Sequence, residues 1–357
     1  MTKRGNSAHS PRILITGGAG FVGTNLAKRL AGEGAQVRVL DTLARSGSEQ
    51  NIAWLGARFP NEIEFLRGDI RNVEAVRSAL DGIDHVYHLA AQVAVTTSLA
   101  DPRADFDVNA GGTLNLLEAV RECVNPPSLL YASTNKVYGG METIAVVEDT
   151  SKYRYRDLPD GIPEDQLLDF HSPYGCSKGA GDQYVRDYAR IYGLRTVVMR
   201  QSCIYGTRQF GVEDQGWVAH FCISARLGRP ITIYGDGKQA RDVLWIDDLV
   251  AAYRAATERI EVAAGNIYNV GGGPANTVSI WCDFEPRLER LAGHPIAAVH
   301  GPWRPGDQPV YVSDVRKAER DLGWRPRTSF DEGLDRLWKW VDTNPHLFDT
   351  FAVSKAG

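Results

Sequence analysis

RILITGGAGFVGTNLAKRLAGEG, residues 12–34, is the stretch on which the fold turns. RILIT is aliphatic enough for a strand buried on both faces, glycines follow at 17, 20 and 23, and TNLAKRLAGEG carries helical spacing. Gly17 lets the chain turn tightly off the strand, Gly20 lets the backbone approach a pyrophosphate, and Gly23 permits close helix packing. Phe21 and Val22 lie between these glycines, where the helix begins and its free N–H groups meet an anion. A strand feeding such a loop into a helix is the first unit of a dinucleotide-binding fold.

Working outward, QVRVLD (36–41), IEFLRGD (63–69), HVYHLAA (85–91), SLLYAS (128–133) and TVVMR (196–200) repeat the short apolar run, separated by helical segments. Near-continuous apolar strands alternating with helices predict a doubly wound α/β fold of Rossmann type, with a parallel sheet covered on both faces. The expected division is a flexible tail at 1–10, a dinucleotide-binding domain at 11–200 and a smaller α/β substrate-binding region at 201–345. The strand-like NIYNV at 266–270 is expected to return to the main sheet. Residues 139–172 are too long for an ordinary connection and read as a loop near the active site.

The chain of 357 residues is 43% hydrophobic with a formal net charge of -4, which suits a globular protein and offers no broad basic face to nucleic acid. No run of about 18 apolar residues is present, and MTKRGNSAHS lacks the apolar core of a secretory signal, so the expectation is a cytoplasmic protein with no membrane partner. Five scattered cysteines without ligand spacing imply reduced thiols and no metal site. His85 and His88, on opposite strand faces, give no metal pair either.

Asp41 closes the second strand eighteen residues after Gly23, where an acid accepts hydrogen bonds from ribose hydroxyls and repels a 2′-phosphate. NAD is therefore expected over NADP. Thr42 and Arg45 belong to the same corner, Arg45 facing either solvent or the adenine. Asp69 either meets the adenine or caps the next helix.

At the opposite end, YASTNKVYG (131–139) closes a strand and SPYGCSKGAGDQYVRDYAR (172–190) opens a helix bearing Tyr174 and Lys178, four residues apart and so on one face. A phenol is a poor base at neutral pH, but an adjacent ammonium and a nicotinamide cation favour its ionised form. Tyr174 then takes a proton from a substrate alcohol whose oxygen Thr134 holds.

With TGGAGFVG, HLAAQVA, NAGGTLNLLEA, YGCSK, GDGKQARDVLWIDDL and RPGDQ in order over about residues 11–340, the chain resembles the extended short-chain dehydrogenase/reductases, the family of NAD-dependent nucleotide-sugar epimerases and dehydratases. The resemblance implies Thr134, Tyr174 and Lys178 as the catalytic set. It places Ile70 with Asp69 at the adenine, and Leu89, Ala90, Ala91 and Gln92 along the cofactor with Asn109, Ser133 and Gln201. It assigns substrate contacts to Gln92, Asn135, Lys136, Gln215, Trp217, Tyr234, Arg241, Arg304 and Asp307, with the two arginines on the nucleotide diphosphate or its ribose. Where many relatives carry an Asn, this chain has Cys203. The family also implies a homo-oligomer, paired through the helix of Tyr174.

Dehydratases of the family carry an acid pair after the threonine, whereas Asn135 and Lys136 stand here, so no acid for elimination is in place. STNKVYG, DFHSPYGCSKG and RQFGVEDQGW are similar to the 2-epimerase branch, whose substrates are CDP-linked hexoses. The implied activity is transient oxidation at C2 with bound NAD, rotation of the keto sugar and hydride return. A UDP-sugar 4-epimerase is the alternative, and a catalytically silent NAD-binding regulator the distant one. Lys136 is expected either to face the sugar and stabilise an oxyanion or to pair with the acidic loop at 148–169, and His171 to touch substrate or cap a turn.

Overall fold

A computed structural model describes residues 10–304 and 307–348. Seven strands, β1 (Arg12–Thr16), β2 (Gln36–Asp41), β3 (Ile63–Arg67), β4 (His85–His88), β5 (Ser128–Thr134), β6 (Thr196–Gln201) and β7 (Ile267–Val270), form one parallel sheet. Their order is β3-β2-β1-β4-β5-β6-β7. The order reverses between β1 and β4, and in such sheets ligands bind outside the carboxyl ends of the strands at that point.

The alternation of side chains along each strand builds two cores from one sheet. Ile13, Ile15, Val37, Val39 and Leu130 pack on one face, while Leu14, Leu40, Val86, Leu129 and Tyr131 pack on the other. β5 is buried along its whole length, as a strand between two helical layers must be. The tail read from 1–10 lies, apart from Ser10, outside the described residues.

Beyond β6 the chain forms a mixed sheet around the strand Ala240–Trp245, which pairs with Cys203–Tyr205, Thr277–Ser279 and Val310–Tyr311. The division near residue 200 is not clean. Besides β7, the helix Ile246–Glu258 also returns to the first region: its Arg254 pairs with Glu33 at 2.6 Å, and its Thr257 hydroxyl lies 2.9 Å from that of Tyr87. Residues 139–172 hold a small hairpin and pack Tyr155 and Ile162 against Val310 and Tyr311, with Ile162 N–H donating to Val312 O at 2.7 Å. The connection is a packed strap tying β5 to the second region. Among the described residues no helix is long and apolar enough to cross a membrane, and no group of three or more His, Cys, Asp or Glu is placed to hold a metal. All five cysteines are free thiols.

Candidate active site

At the carboxyl end of β1 the chain is shaped for a phosphate. Gly17 adopts φ +70°, and a Cβ there would stand 2.7 Å from the backbone nitrogen of Ala90; at Gly23 it would meet Gly17 O at 2.5 Å. Glycine is required at both positions. The helix Phe21–Gly32 starts at Gly20 with no side-chain cap, which leaves its first N–H groups open to an anion. Asp41 braces this loop, its Oδ2 accepting from Ala19 N–H at 3.0 Å and its Oδ1 from Leu43 N–H at 2.8 Å, and each oxygen retains acceptor capacity for a ribose. Burial pushes the Asp41 carboxyl up, against the pull of these bonds. A glycine cradle, an open helix end and an acid beside it fit NAD.

Arg45 is exposed over much of its length, yet its guanidinium is desolvated, with Tyr174 and Asp41 as charged neighbours. Its exposure fits the solvent-facing expectation, and its charge also acts on the Tyr174 phenol. Thr42 is exposed and its hydroxyl accepts from Ala44 N–H at 3.3 Å. Asp69 does not cap the next helix. Asn72 does so, accepting from Ala75 N–H at 2.9 Å, while Asp69 is held by Arg71 at 2.6 Å. The Ile70 side chain is buried in the core, and its carbonyl accepts from Asn115 Nδ2 at 3.2 Å.

The backbone of Leu89 and Ala90 is pinned by Thr16, through its carbonyl at 3.0 Å and its hydroxyl at 3.2 Å. Next come Ala91 and Gln92, whose backbone N–H donates to Asn109 Oδ1 at 2.9 Å. Both ends of the Gln92 amide fold back on Ala94. Asn109 sits in a π-helical turn, Asp107–Gly111, a widening often found at functional sites.

The helix Ser172–Tyr192 sets Tyr174 and Lys178 side by side in a buried position. Burial raises the Tyr174 phenol to about 12; the Thr134 hydroxyl, in hydrogen-bonding contact with it, and the Arg45 charge act in the opposite direction. Lys178 Nζ donates to Ala132 O at 2.6 Å and lies 4.1 Å above the Tyr131 ring. Burial lowers its ammonium to about 7, with the Asp182 and Asp105 carboxylates resisting. Ser133 does not face outward: its Oγ donates to Asp182 Oδ2 at 2.7 Å, and Asp182 in turn accepts from Nε and Nη2 of Arg200, each at 2.9 Å. This buried pair anchors the catalytic helix to β5 and β6. Gln201 accepts the Tyr253 hydroxyl at 2.7 Å, which occupies its carbonyl.

Two clusters follow among the residues expected to meet substrate. Lys136 is half-buried, its Nζ 3.5 Å from Gln308 Oε1, and Arg241 and Asp307 are its charged neighbours, themselves joined at 2.6 Å. Its expected pairing with the loop at 148–169 does not form. Those acids bind other cations, Glu148 to Lys238, Asp149 to Arg154 and Asp160 to Arg316. Burial and the Arg241 charge lower the Lys136 ammonium. In the second cluster Arg304 stacks 3.9 Å over Tyr234 and pairs with Asp214 at 3.1 Å, while the Tyr234 hydroxyl donates to Glu213. Gln215 carries a buried Oε1 without a partner, and Trp217 faces the Cys203 thiol. Asn135 is buried beside Thr134, 3.4 Å away. His171 occupies the cap position without capping; Ser172 Oγ accepts from Gly175 N–H at 3.3 Å instead.

Sequence reading missed Asp105, Ser177, Asp182, Gln308 and the acids on Arg304. Asp105 had a legible signal, an acid four residues before Asn109, and so one helical turn from it. The others depend on segments that meet only in the fold.

The profile of the GDP-mannose 4,6 dehydratase family matches residues 14–337. CDP-paratose 2-epimerase from Salmonella typhi is 43% identical over 348 residues, covering 93% of this chain and 99% of that protein. The crystal structure of UDP-glucose 4-epimerase from Thermus thermophilus in complex with NAD is similar at a TM-score of 0.77 and 32% identity, covering 92% of this chain and 98% of that one. DesIV, a dTDP-glucose 4,6-dehydratase from Streptomyces venezuelae with NAD bound, gives a TM-score of 0.81 at 28% identity, covering 95% and 99%.

Proposed function

We propose, from the premise that this chain belongs to the NAD-dependent epimerase/dehydratase family, that it is a nucleotide-sugar 2-epimerase of the CDP-paratose to CDP-tyvelose type. What carries the reading is Asn135 and Lys136 after Thr134, in a chain 43% identical to a CDP-paratose 2-epimerase over nearly the full length of both. NAD, held at Gly17, Gly20, Gly23 and Asp41, supplies the hydride acceptor and donor.

The remaining work falls to side chains. Thr134 holds the C2 oxygen, and Tyr174 takes its proton and later returns it. Lys178 places a positive charge against the phenolate, and because burial leaves its ammonium near about 7, the arriving sugar and cofactor charges decide its state. Lys136 and Asn135 offer an ammonium and an amide beside Thr134 in place of the dehydratases' carboxyl pair, so a keto sugar formed there is held and turned without the acids that elimination uses. Arg241 and Arg304 exchange contacts with Asp307, Asp214 and Glu213 for the diphosphate, which suits a forked guanidinium. The exposed Tyr184, Ile191 and Tyr192 on the catalytic helix, with Leu99 and Phe106 nearby in sequence to Asn109, support a homo-oligomer through this face.

A second reading, a UDP-sugar 4-epimerase, is favoured by the likeness to the Thermus thermophilus enzyme, since the same Thr, Tyr and Lys serve either carbon. Incubation with CDP-paratose, CDP-glucose and UDP-glucose in turn, without added cofactor, separates the two by the sugar NMR spectrum. Inversion at C2 of a CDP-sugar is expected; inversion at C4 of UDP-glucose alone would transfer the assignment to the second reading.

A further inference from the structure

Asp105 is a buried carboxylate with no part in the chemistry above. It is 0% exposed and its hydrogen bonds run to neutral groups: Ser177 Oγ donates to Oδ2 at 2.5 Å and Asn109 Nδ2 donates to Oδ1 at 3.2 Å. Asn109 Nδ2 also reaches Ser177 Oγ at 3.0 Å, closing a triangle. Through it one acid ties together three pieces of the site. Ser177 stands between Tyr174 and Lys178 on the catalytic helix, Asn109 shapes the π-helical turn, and Asn109 in turn holds the backbone of Gln92 at 2.9 Å and 3.1 Å.

A charge buried without a full ion pair is costly: burial pushes the Asp105 carboxyl up, and the Ser177 hydrogen bond and the Lys178 charge act to keep it ionised. The charges around this one are those of the reaction. Lys178 and Tyr174 face it from the helix of Tyr174 and Tyr131 from β5; Asp182 acts on Lys178, Arg45 on Tyr174, and Lys178 on His88. His88 is held neutral by burial, its pKa lowered to about 3, and both its nitrogens are engaged by Thr16 and Thr113, so it adds no charge.

We propose that Asp105 is a positioning residue for the acid–base pair, a fixed negative charge locked by Ser177 and Asn109 that sets the pH window in which Tyr174 and Lys178 work. This rests on the reading of those two as the acid–base pair. A negative charge beside a phenol opposes its ionisation and beside an ammonium preserves it, so its removal makes both groups lose their protons at lower pH. Asn keeps the shape and removes the charge; its oxygen still accepts from Asn109, while its Nδ2 donates to Ser177 Oγ, whose hydroxyl then turns to Tyr174 O at 3.2 Å.

Two tyrosinate difference titrations in the ultraviolet isolate the Tyr174 phenol, wild type minus Tyr174→Phe, and Asp105→Asn minus Asp105→Asn/Tyr174→Phe. The midpoint is expected to fall by about one pH unit in Asp105→Asn. In turnover of CDP-paratose, both limbs of the kcat/KM profile are expected to move to lower pH, with Asp105→Glu restoring the wild-type profile. A purely structural residue would lower kcat and leave both limbs in place, and that result, or an unmoved tyrosinate midpoint, overturns the proposal. Should Asp105→Asn not fold, the carbon-13 carboxyl signal of Asp105 in the wild-type protein, assigned through its loss in Asp105→Glu, must remain that of an ionised acid at the pH of turnover. A protonated acid there removes the charge on which the proposal depends. Turnover by Tyr174→Phe would instead overturn the acid–base reading, and the titration shift would still report on Asp105.

Discussion

The cofactor end and the proposed sugar end of this cleft are built differently. The first is made of backbone and lies within one short segment: Gly17 turns at positive φ, Gly23 lies against Gly17 O, and Asp41 ties β2 to Ala19. The second is made of long charged side chains from distant segments. Arg241 meets Asp307 across 66 residues, and Lys136 meets Gln308 across 172. A backbone cradle tolerates little change because a single Cβ closes it, whereas a side-chain cluster alters its ligand by exchanging one residue. This is why members of one family share NAD and differ in sugar.

The comparison predicts different failures at the two ends, and the largest lies where they meet. Tyr174→Phe is expected to lower kcat on the order of 10³-fold with NAD still bound, because the cradle is untouched. Steady-state turnover together with the nucleotide released on denaturation checks both halves of that statement. Next, Gly23→Ala places a Cβ 2.5 Å from Gly17 O and Gly18 Cα. It is expected to cost about 1–3 kcal/mol and to strip NAD from the purified protein; a variant that retains the full cofactor complement breaks the backbone account. Lys136→Met is expected to leave NAD content unchanged and reduce kcat/KM for the CDP-sugar by roughly 10-fold, the loss of one charged contact. An equal loss with every sugar tested would remove Lys136 from specificity.

The effect furthest from turnover is a pH dependence of stability. Burial holds the Lys178 ammonium at about 7 against the ordinary 10.5, so between these values the unfolded chain binds more protons than the folded one. Stability contributed at this site therefore rises with pH across that window, by at most about 1.4 kcal/mol per pH unit. Urea unfolding of the wild type and of Lys178→Met at about pH 7 and about pH 9 should show a steeper rise in the wild type; parallel slopes would mean that the ammonium is not desolvated.

The same contrast explains what could be read without coordinates. β1 and β2 were legible to the residue, because their apolar runs are bounded by Gly17 and by Asp41. Tyr174 and Lys178 fell together because a helix fixes the geometry of residues four apart. Lys136 was open between the sugar and the acidic loop at 148–169, and it pairs with no acid of that loop, since the strap from 139 to 172 folds onto Val310–Tyr311 and turns Glu148 and Asp149 to other cations. Asp69 was open between ligand and cap, and Asn72 took the cap by standing next to the helix. Ser133 and Gln201 are engaged inward by Asp182 and Tyr253, contacts made across the sheet that no local pattern announces.

The central claim is that this cleft moves a hydride away from and back to C2 of one sugar while the side chains handle only protons. Turnover of CDP-paratose deuterated at C2, in ordinary water and without added cofactor, tests it in one NMR spectrum. The account predicts an epimerised product that keeps its deuterium at C2. Deuterium lost to solvent at that carbon would show proton abstraction in place of hydride transfer, and would contradict the roles assigned to Tyr174, Lys178 and the glycine cradle together.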